Sequence, residues 1–178
     1  MLQLRAKTQQ AGAFLALIDT VVRSAARRGA AVVVNDRVDL ARAAGAAGVH
    51  VGQNDLPPAV ARAQLGASAV VGVSTHSREQ ILAAVTQPVS YVAVGPVFET
   101  RTKETGYPAG GLQLVDDARR TIAPAIPLVA IGGITLARAR DVLVAGASGV
   151  AVIGDLLTEN PATRVRQYLA LLAEARTV

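Results

Sequence analysis

The sequence predicts an α/β chain of the (β/α)8 (TIM) barrel type, one βα unit short of closure at its N-terminus, and three observations predict it. Apolar, β-branched runs alternate with helix-periodic segments at about 25-residue spacing along the chain. The runs are mostly continuous rather than alternating, which suits strands buried on both faces of a parallel sheet. Polar residues and glycines gather where the runs end, which is where a barrel of this kind builds its ligand site. A doubly wound open sheet is the alternative, but it gives no reason for polar clusters at every strand end.

The elements follow in order. Met1–Lys7 reads as a strand, with Leu2, Leu4 and Ala6 alternating against Gln3, Arg5 and Lys7. Residues 11–28 form an apolar-periodic helix running into Arg27-Arg28-Gly29. Ala31–Val34 is a strand, Asp39–Ala46 a short helix closed by Gly48, and Val49–Val51 a strand. Pro58–Gln64 opens as a helix with prolines near its first turn. Ala69–Val73 is a strand and Ser77–Val85 a helix capped by Ser77. Tyr91–Val97 is a strand, followed by the segment 98–110 and a helix over Leu112–Ile122. Pro127–Ile131 and Gly149–Ile153 are strands ending in glycine, joined by a helix that Thr135 caps and Gly146 stops. A helix over Ala162–Ala173 ends the order (βα)7. The missing first unit is the expected result of a shortened N-terminus.

Composition narrows the function. A chain of 178 residues is read as one domain, 1–178, with a single core. No apolar run approaches the ~20 residues of a membrane span, and no signal-peptide core is visible near the N-terminus. The absence of cysteine fits an intracellular, cytoplasmic protein. The formal charge is +5, but the basic residues are dispersed and aromatics make up 3%, so nucleic acid is not the expected partner. Sixteen of the 18 basic residues are arginine; the two lysines, Lys7 and Lys103, fall where strands give way to loops.

The strand ends carry the candidate site. Gln3, Arg5 and Lys7 place an amide and two cations on one face of the first strand; turned into a barrel, that face needs anionic company. Asn35-Asp36-Arg37 and Gln53-Asn54-Asp55 end the next two strands. Parallel neighbours lie about 5 Å apart, so Asp36 and Asp55 can reach one Mg²⁺ ion with help from phosphate oxygens. Asp55 also suits a helix cap. Ser74-Thr75-His76 ends the fourth strand, without a visible nucleophile triad, and His50 is expected to be an interior residue. The segment 98–110, with Thr100, Thr102 and Lys103 as donors and Gly106 and Gly110-Gly111 as flexible points, has the composition of a lid over an anion. The glycine turns after residues 131 and 153 form a phosphate cradle.

The ordered set Q-L-R-A-K, N-D-R, G-Q-N-D-L-P, G-V-S, G-P-V-F-x-T-x-T-K, A-I-G-G-I and V-A-V-I-G closely resembles the thiamine phosphate synthase family over essentially the whole chain. That resemblance implies a (β/α)8 barrel that joins two small-molecule substrates, a hydroxymethylpyrimidine diphosphate and a thiazole bearing a phosphoethyl arm, releasing pyrophosphate. It implies Arg5, Lys7, Asn35 and Lys103 on the diphosphate, with Gln3 near the pyrimidine. It implies Mg²⁺ on Asp36 and Asp55, and Ser74 beside the departing group. Thr100, Thr102, Gly133, Ile153 and Gly154 would surround the thiazole phosphate. Three departures stand out: the family's first strand and helix are absent, position 154 is glycine where many relatives carry serine, and position 54 is asparagine where relatives often have an acid. A thiazole tautomerase of the same fold, with His76 as its acid–base group, and a non-catalytic barrel binding phosphorylated ligands are the alternatives.

Overall fold

The computed structural model describes residues 1–100 and 106–175. The chain falls into two compact units: Met1–Ser74 with Thr86–Ser90, and Thr75–Val85 with Tyr91–Val178.

In the first unit, β1 (Leu2–Leu4), β2 (Val32–Asn35), β3 (Gly48–Val51) and β4 (Val70–Thr75, its last residue in the second unit) pair in parallel and in chain order. The all-valine stretch Val32–Val34 is buried on both faces, as its continuous apolar run requires. Helix α1 (Ala11–Ala26) buries Phe14 and Ile18, one turn apart, against Val34, Leu40 and Ala41, with Leu4 and Ala6 packed alongside. Each such large side chain contributes about 1.5–3 kcal/mol on burial. Because Leu4 and Ala6 face this cluster, Arg5 and Lys7 are left to the other side. The expected strand Met1–Lys7 stops at Leu4, and Gln3, Arg5 and Lys7 are exposed rather than enclosed. The reason is local: among the described residues β1 has β2 as its strand partner, so nothing from a second neighbour covers it.

Helix α2 (Val38–Ala43) ends earlier than Ala46. Its stop is Gly45, at φ +60°, where the Ala46 amide returns to the Ala41 carbonyl. Gly48, expected to close the helix, instead opens β3, and a Cβ there would overlap the Val70 carbonyl of β4. Helix α3 (Pro58–Leu65) begins on proline as expected, and its Arg62 guanidinium ties the carbonyls of Ala67, Ala69 and Pro88 and the Ser90 hydroxyl together.

In the second unit, β5 (Tyr91–Val94), β6 (Leu128–Ile131) and β7 (Gly149–Ala151) pair in parallel and in chain order. Helix α4 (Arg78–Ala84) precedes β5, α5 (Gly111–Thr121) joins β5 to β6, and α6 (Leu136–Val144) joins β6 to β7. A 3-10 turn over Gly154–Leu156 and α7 (Pro161–Ala175) follow. Ser77 caps α4 as expected, accepting the Gln80 amide at 3.3 Å. Thr135 precedes α6 but makes no capping bond; the Leu136 amide donates to Asp155 at 3.0 Å instead. Among the described residues no helix is long and apolar enough to cross a membrane.

Candidate active site

The first unit brings together the residues expected at the diphosphate end. Lys7 lies just past β1 and its ammonium meets Asp36 at 3.0 Å, with Lys7 about half exposed and Asp36 only 20% exposed. Asp36 follows β2 and adopts φ +63°, the left-handed region that few side chains other than Asp and Asn tolerate. Its amide donates to the His50 carbonyl of β3 at 2.8 Å, which locks that backbone in place. Strain held by a neighbouring strand is commonest where geometry serves a ligand.

Asp55 sits in the turn after β3, where Oδ2 accepts the Gly52 amide at 2.7 Å. That bond, and a helix start on Pro57–Pro58, removes the helix-cap reading. Partial burial raises the Asp55 carboxyl above its ordinary value, and Asp36 pushes it further; the Gly52 amide and Lys7 pull the other way. Two carboxylates at adjacent strand ends therefore share one small volume, which is the donor set a hard dication takes. Among the described residues no third His, Cys, Asp or Glu completes a cage. A carboxylate pair left open in this way fits Mg²⁺ that draws its remaining oxygens from phosphate and water.

An expected outcome follows from the raised Asp55. A carboxyl whose folded value lies above its unfolded value costs stability once ionised; the cost is absent in acid and grows as pH rises through that window. Asp55→Asn keeps an oxygen for the Gly52 amide and removes the charge. Calorimetry without added Mg²⁺ should show it melting above the parent at neutral pH, with the gap closing below the ordinary carboxylate range. A lower melting point at neutral pH would contradict the reading that burial and Asp36 penalise the ionised Asp55.

Ser74, near the end of β4, meets the His50 Nε2 at 2.7 Å, and its carbonyl accepts the Gln53 side-chain amide at 2.6 Å. His50 is buried, as expected, and its bond to Ser74 is a contact the sequence alone does not show. The signal was register: His50 pairs with Gly72, so Ser74 is two residues on along the same face of the sheet. With the proton on Nε2, histidine donates to the serine oxygen and the hydroxyl hydrogen is left to serve an anion. Asn35 ends β2 half-buried, while Gln3 on the neighbouring β1 and Arg5 just past it are exposed.

The second unit holds the glycine cradle. Gly133 has φ +60°, and a Cβ there would lie 2.8 Å from the Phe98 Cβ and closer still to the Glu99 carbonyl. Its own carbonyl accepts Arg138 at 3.2 Å, and that guanidinium stands 4.7 Å over the Phe98 ring. Gly133 thus holds the segment after β5 in place. Ile153 and Gly154 are exposed after β7, and Thr100 is half-buried. Thr102 and Lys103 lie outside the described residues. His76 places Nδ1 2.5 Å from the Gly95 carbonyl and stacks on Tyr107 at 4.3 Å, with Gln80 bonded to both residues.

Residues 1–156 match the sequence model of a family described as thiamine monophosphate synthase. The chain belongs to that family. Relatives of the thiamine monophosphate synthase family include the thiamine-phosphate synthase of Nostoc punctiforme, 47% identical over 79% of this chain and 39% of that protein. Another, from Koribacter versatilis, is 47% identical over 79% of this chain and 65% of its own length. The chain thus spans less than two thirds of either. A solved thiamine phosphate pyrophosphorylase from Pyrococcus furiosus superposes with a TM-score of 0.88 at 30% identity, over 97% of this chain and 82% of that one. This likeness establishes the TIM-barrel type of α/β fold expected from the alternating strands and helices.

Proposed function

We propose that this family member is a thiamine phosphate synthase. It would condense hydroxymethylpyrimidine diphosphate with thiazole phosphate to give thiamine phosphate and pyrophosphate. The observation that carries the proposal is the Lys7–Asp36–Asp55 group: one cation and two mutually repelling carboxylates at neighbouring strand ends. A diphosphate–metal pair gives each of the three a partner of opposite charge, the metal on the two carboxylates and the diphosphate on the lysine.

Asp36 and Asp55 would hold Mg²⁺, which when bound supplies charge neutralisation on the diphosphate. Arg5, Lys7 and Asn35 would bind the diphosphate oxygens, joined by Lys103, and Gln3 would orient the pyrimidine. Ser74, its oxygen fixed by His50, would donate to the oxygen that leaves. As the carbon–oxygen bond breaks, the pyrimidine methylene becomes cationic and the thiazole nitrogen supplies the electron pair that forms the new bond. Thr100, Thr102, Gly133, Ile153 and Gly154 would hold the thiazole phosphate. Such a reaction asks for charge balance and alignment rather than a strong base, and the described strand ends offer cations and donors in that proportion.

The test is incubation with both precursors and Mg²⁺, with thiamine phosphate and pyrophosphate each quantified. Equimolar formation of the two is the expected result. Failure to form either, while thiazole carboxylate phosphate is tautomerised, would favour the tautomerase; that chemistry gives Lys7, Asp36 and Asp55 no work.

A further inference from the structure

Asp155 has no role in the reading above, yet it is the most connected side chain beside the cradle. A single oxygen, Oδ2, accepts the Leu136 amide at 3.0 Å and the Tyr168 hydroxyl at 2.8 Å, with Arg164 at 3.6 Å. The carboxylate is 18% exposed and Tyr168 is 6% exposed. These bonds join three elements of the second unit: the turn after β7, the start of α6 and the middle of α7.

Their position matters. Ile131 of β6 pairs with Ala151 of β7, so the turns at 132–135 and 152–155 leave adjacent strands in step. Asp155 follows Ile153 and Gly154 directly, and Leu136 is three residues beyond Gly133. Asp155 therefore cross-links the two glycine turns. The first amide of α6 is committed to that carboxylate rather than to a ligand. Position 154 is glycine, so this turn has no hydroxyl to give. Acceptor binding would then depend on backbone amides, whose direction is set only by whatever holds the turn.

We propose that Asp155 is a positioning residue for the thiazole phosphate: it fixes the 153–154 amides relative to Gly133 through its bonds to Leu136 and Tyr168. The inference rests on the thiamine phosphate synthase reading, and it concerns the acceptor half alone. The carboxylate itself repels a phosphate dianion, so geometry and charge pull in opposite directions, and the two can be separated. Because both donors meet one oxygen, an asparagine amide oxygen can accept both and remove the charge.

Asp155→Ala should raise KM for the thiazole phosphate about tenfold, with KM for the pyrimidine diphosphate unchanged within about twofold. Asp155→Asn should bind the thiazole phosphate as well as the parent or more tightly, and Tyr168→Phe should fall between parent and alanine variant. Calorimetric titration with thiazole phosphate reads the same contrast without turnover. Equal loss for both substrates, or Asp155→Asn as weak as Asp155→Ala, would overturn the positioning role. Should Asp155→Ala fail to fold, the asparagine and phenylalanine variants carry the same ordering. A parent protein that binds thiazole phosphate but forms no thiamine phosphate sinks the synthase reading and leaves the ordering to be read by calorimetry. A parent that binds no thiazole phosphate sinks both.

Discussion

Asp36→Asn should lower turnover with both precursors by roughly 10³-fold, equivalent to about 4 kcal/mol of transition-state stabilisation. Asparagine is the informative replacement because residue 36 sits at φ +63°. Asn tolerates that conformation at least as well as Asp, whereas alanine would add strain of its own. The Asp36 amide would still reach the His50 carbonyl, so the strand end should survive and the loss should report charge. Lys7 would lose its partner at 3.0 Å and Asp55 its like-charged neighbour. Steady-state kinetics at varied Mg²⁺, beside calorimetric binding of thiazole phosphate, separates the effects: turnover falls and acceptor affinity holds. Equal loss of both would mean that the carboxylates serve the other substrate.

Gly133→Ala should be the most damaging single-methyl change in the cradle. A left-handed backbone costs alanine about 1–2 kcal/mol, and overpacking adds about 1–3 kcal/mol. The neighbours have no slack. The Phe98 amide is bonded to the Gly132 carbonyl at 3.0 Å and the Val97 amide to the Ile131 carbonyl at 2.9 Å, so the Glu99 carbonyl cannot simply retreat. Thermal unfolding should show a clear drop in melting temperature, with thiazole phosphate affinity reduced at least tenfold in calorimetry. An unchanged melting temperature would show that the segment after β5 yields, and would weaken the case that this glycine sets the cradle.

Much of the fold was legible because its signals are local. The valine run before Asn35 and the glycine stops report backbone state and burial directly, and the expected strand and helix order is the observed one. Boundaries were less legible where two glycines compete: Gly45 ends α2 through its positive φ, while Gly48 is required by the Val70 carbonyl, a contact from another strand. Thr135 had the right chemistry for a cap and lost it to Asp155, twenty residues on, whose claim depends on tertiary packing. In the site, Asp36 and Asp55 could be paired from strand spacing alone. The His50–Ser74 bond needed the β3–β4 register, and the Arg138–Phe98 contact needed the turn geometry itself. The excess of arginine was the least legible feature. Two of them, the half-buried Arg62 and Arg119, spend their donors on backbone carbonyl oxygens and act as struts between chain segments.

The Lys7–Asp36 pair also has a bearing on the order of events. Joined at 3.0 Å, each member spends part of its capacity on the other. Under the proposed reading, a dication arriving alone would share its aspartate with an ammonium, and a diphosphate arriving alone would share its lysine with a carboxylate. Arriving together, they would exchange partners with the pair. Whatever affinity one guest then gains from the other is returned, by thermodynamic reciprocity, in the same factor.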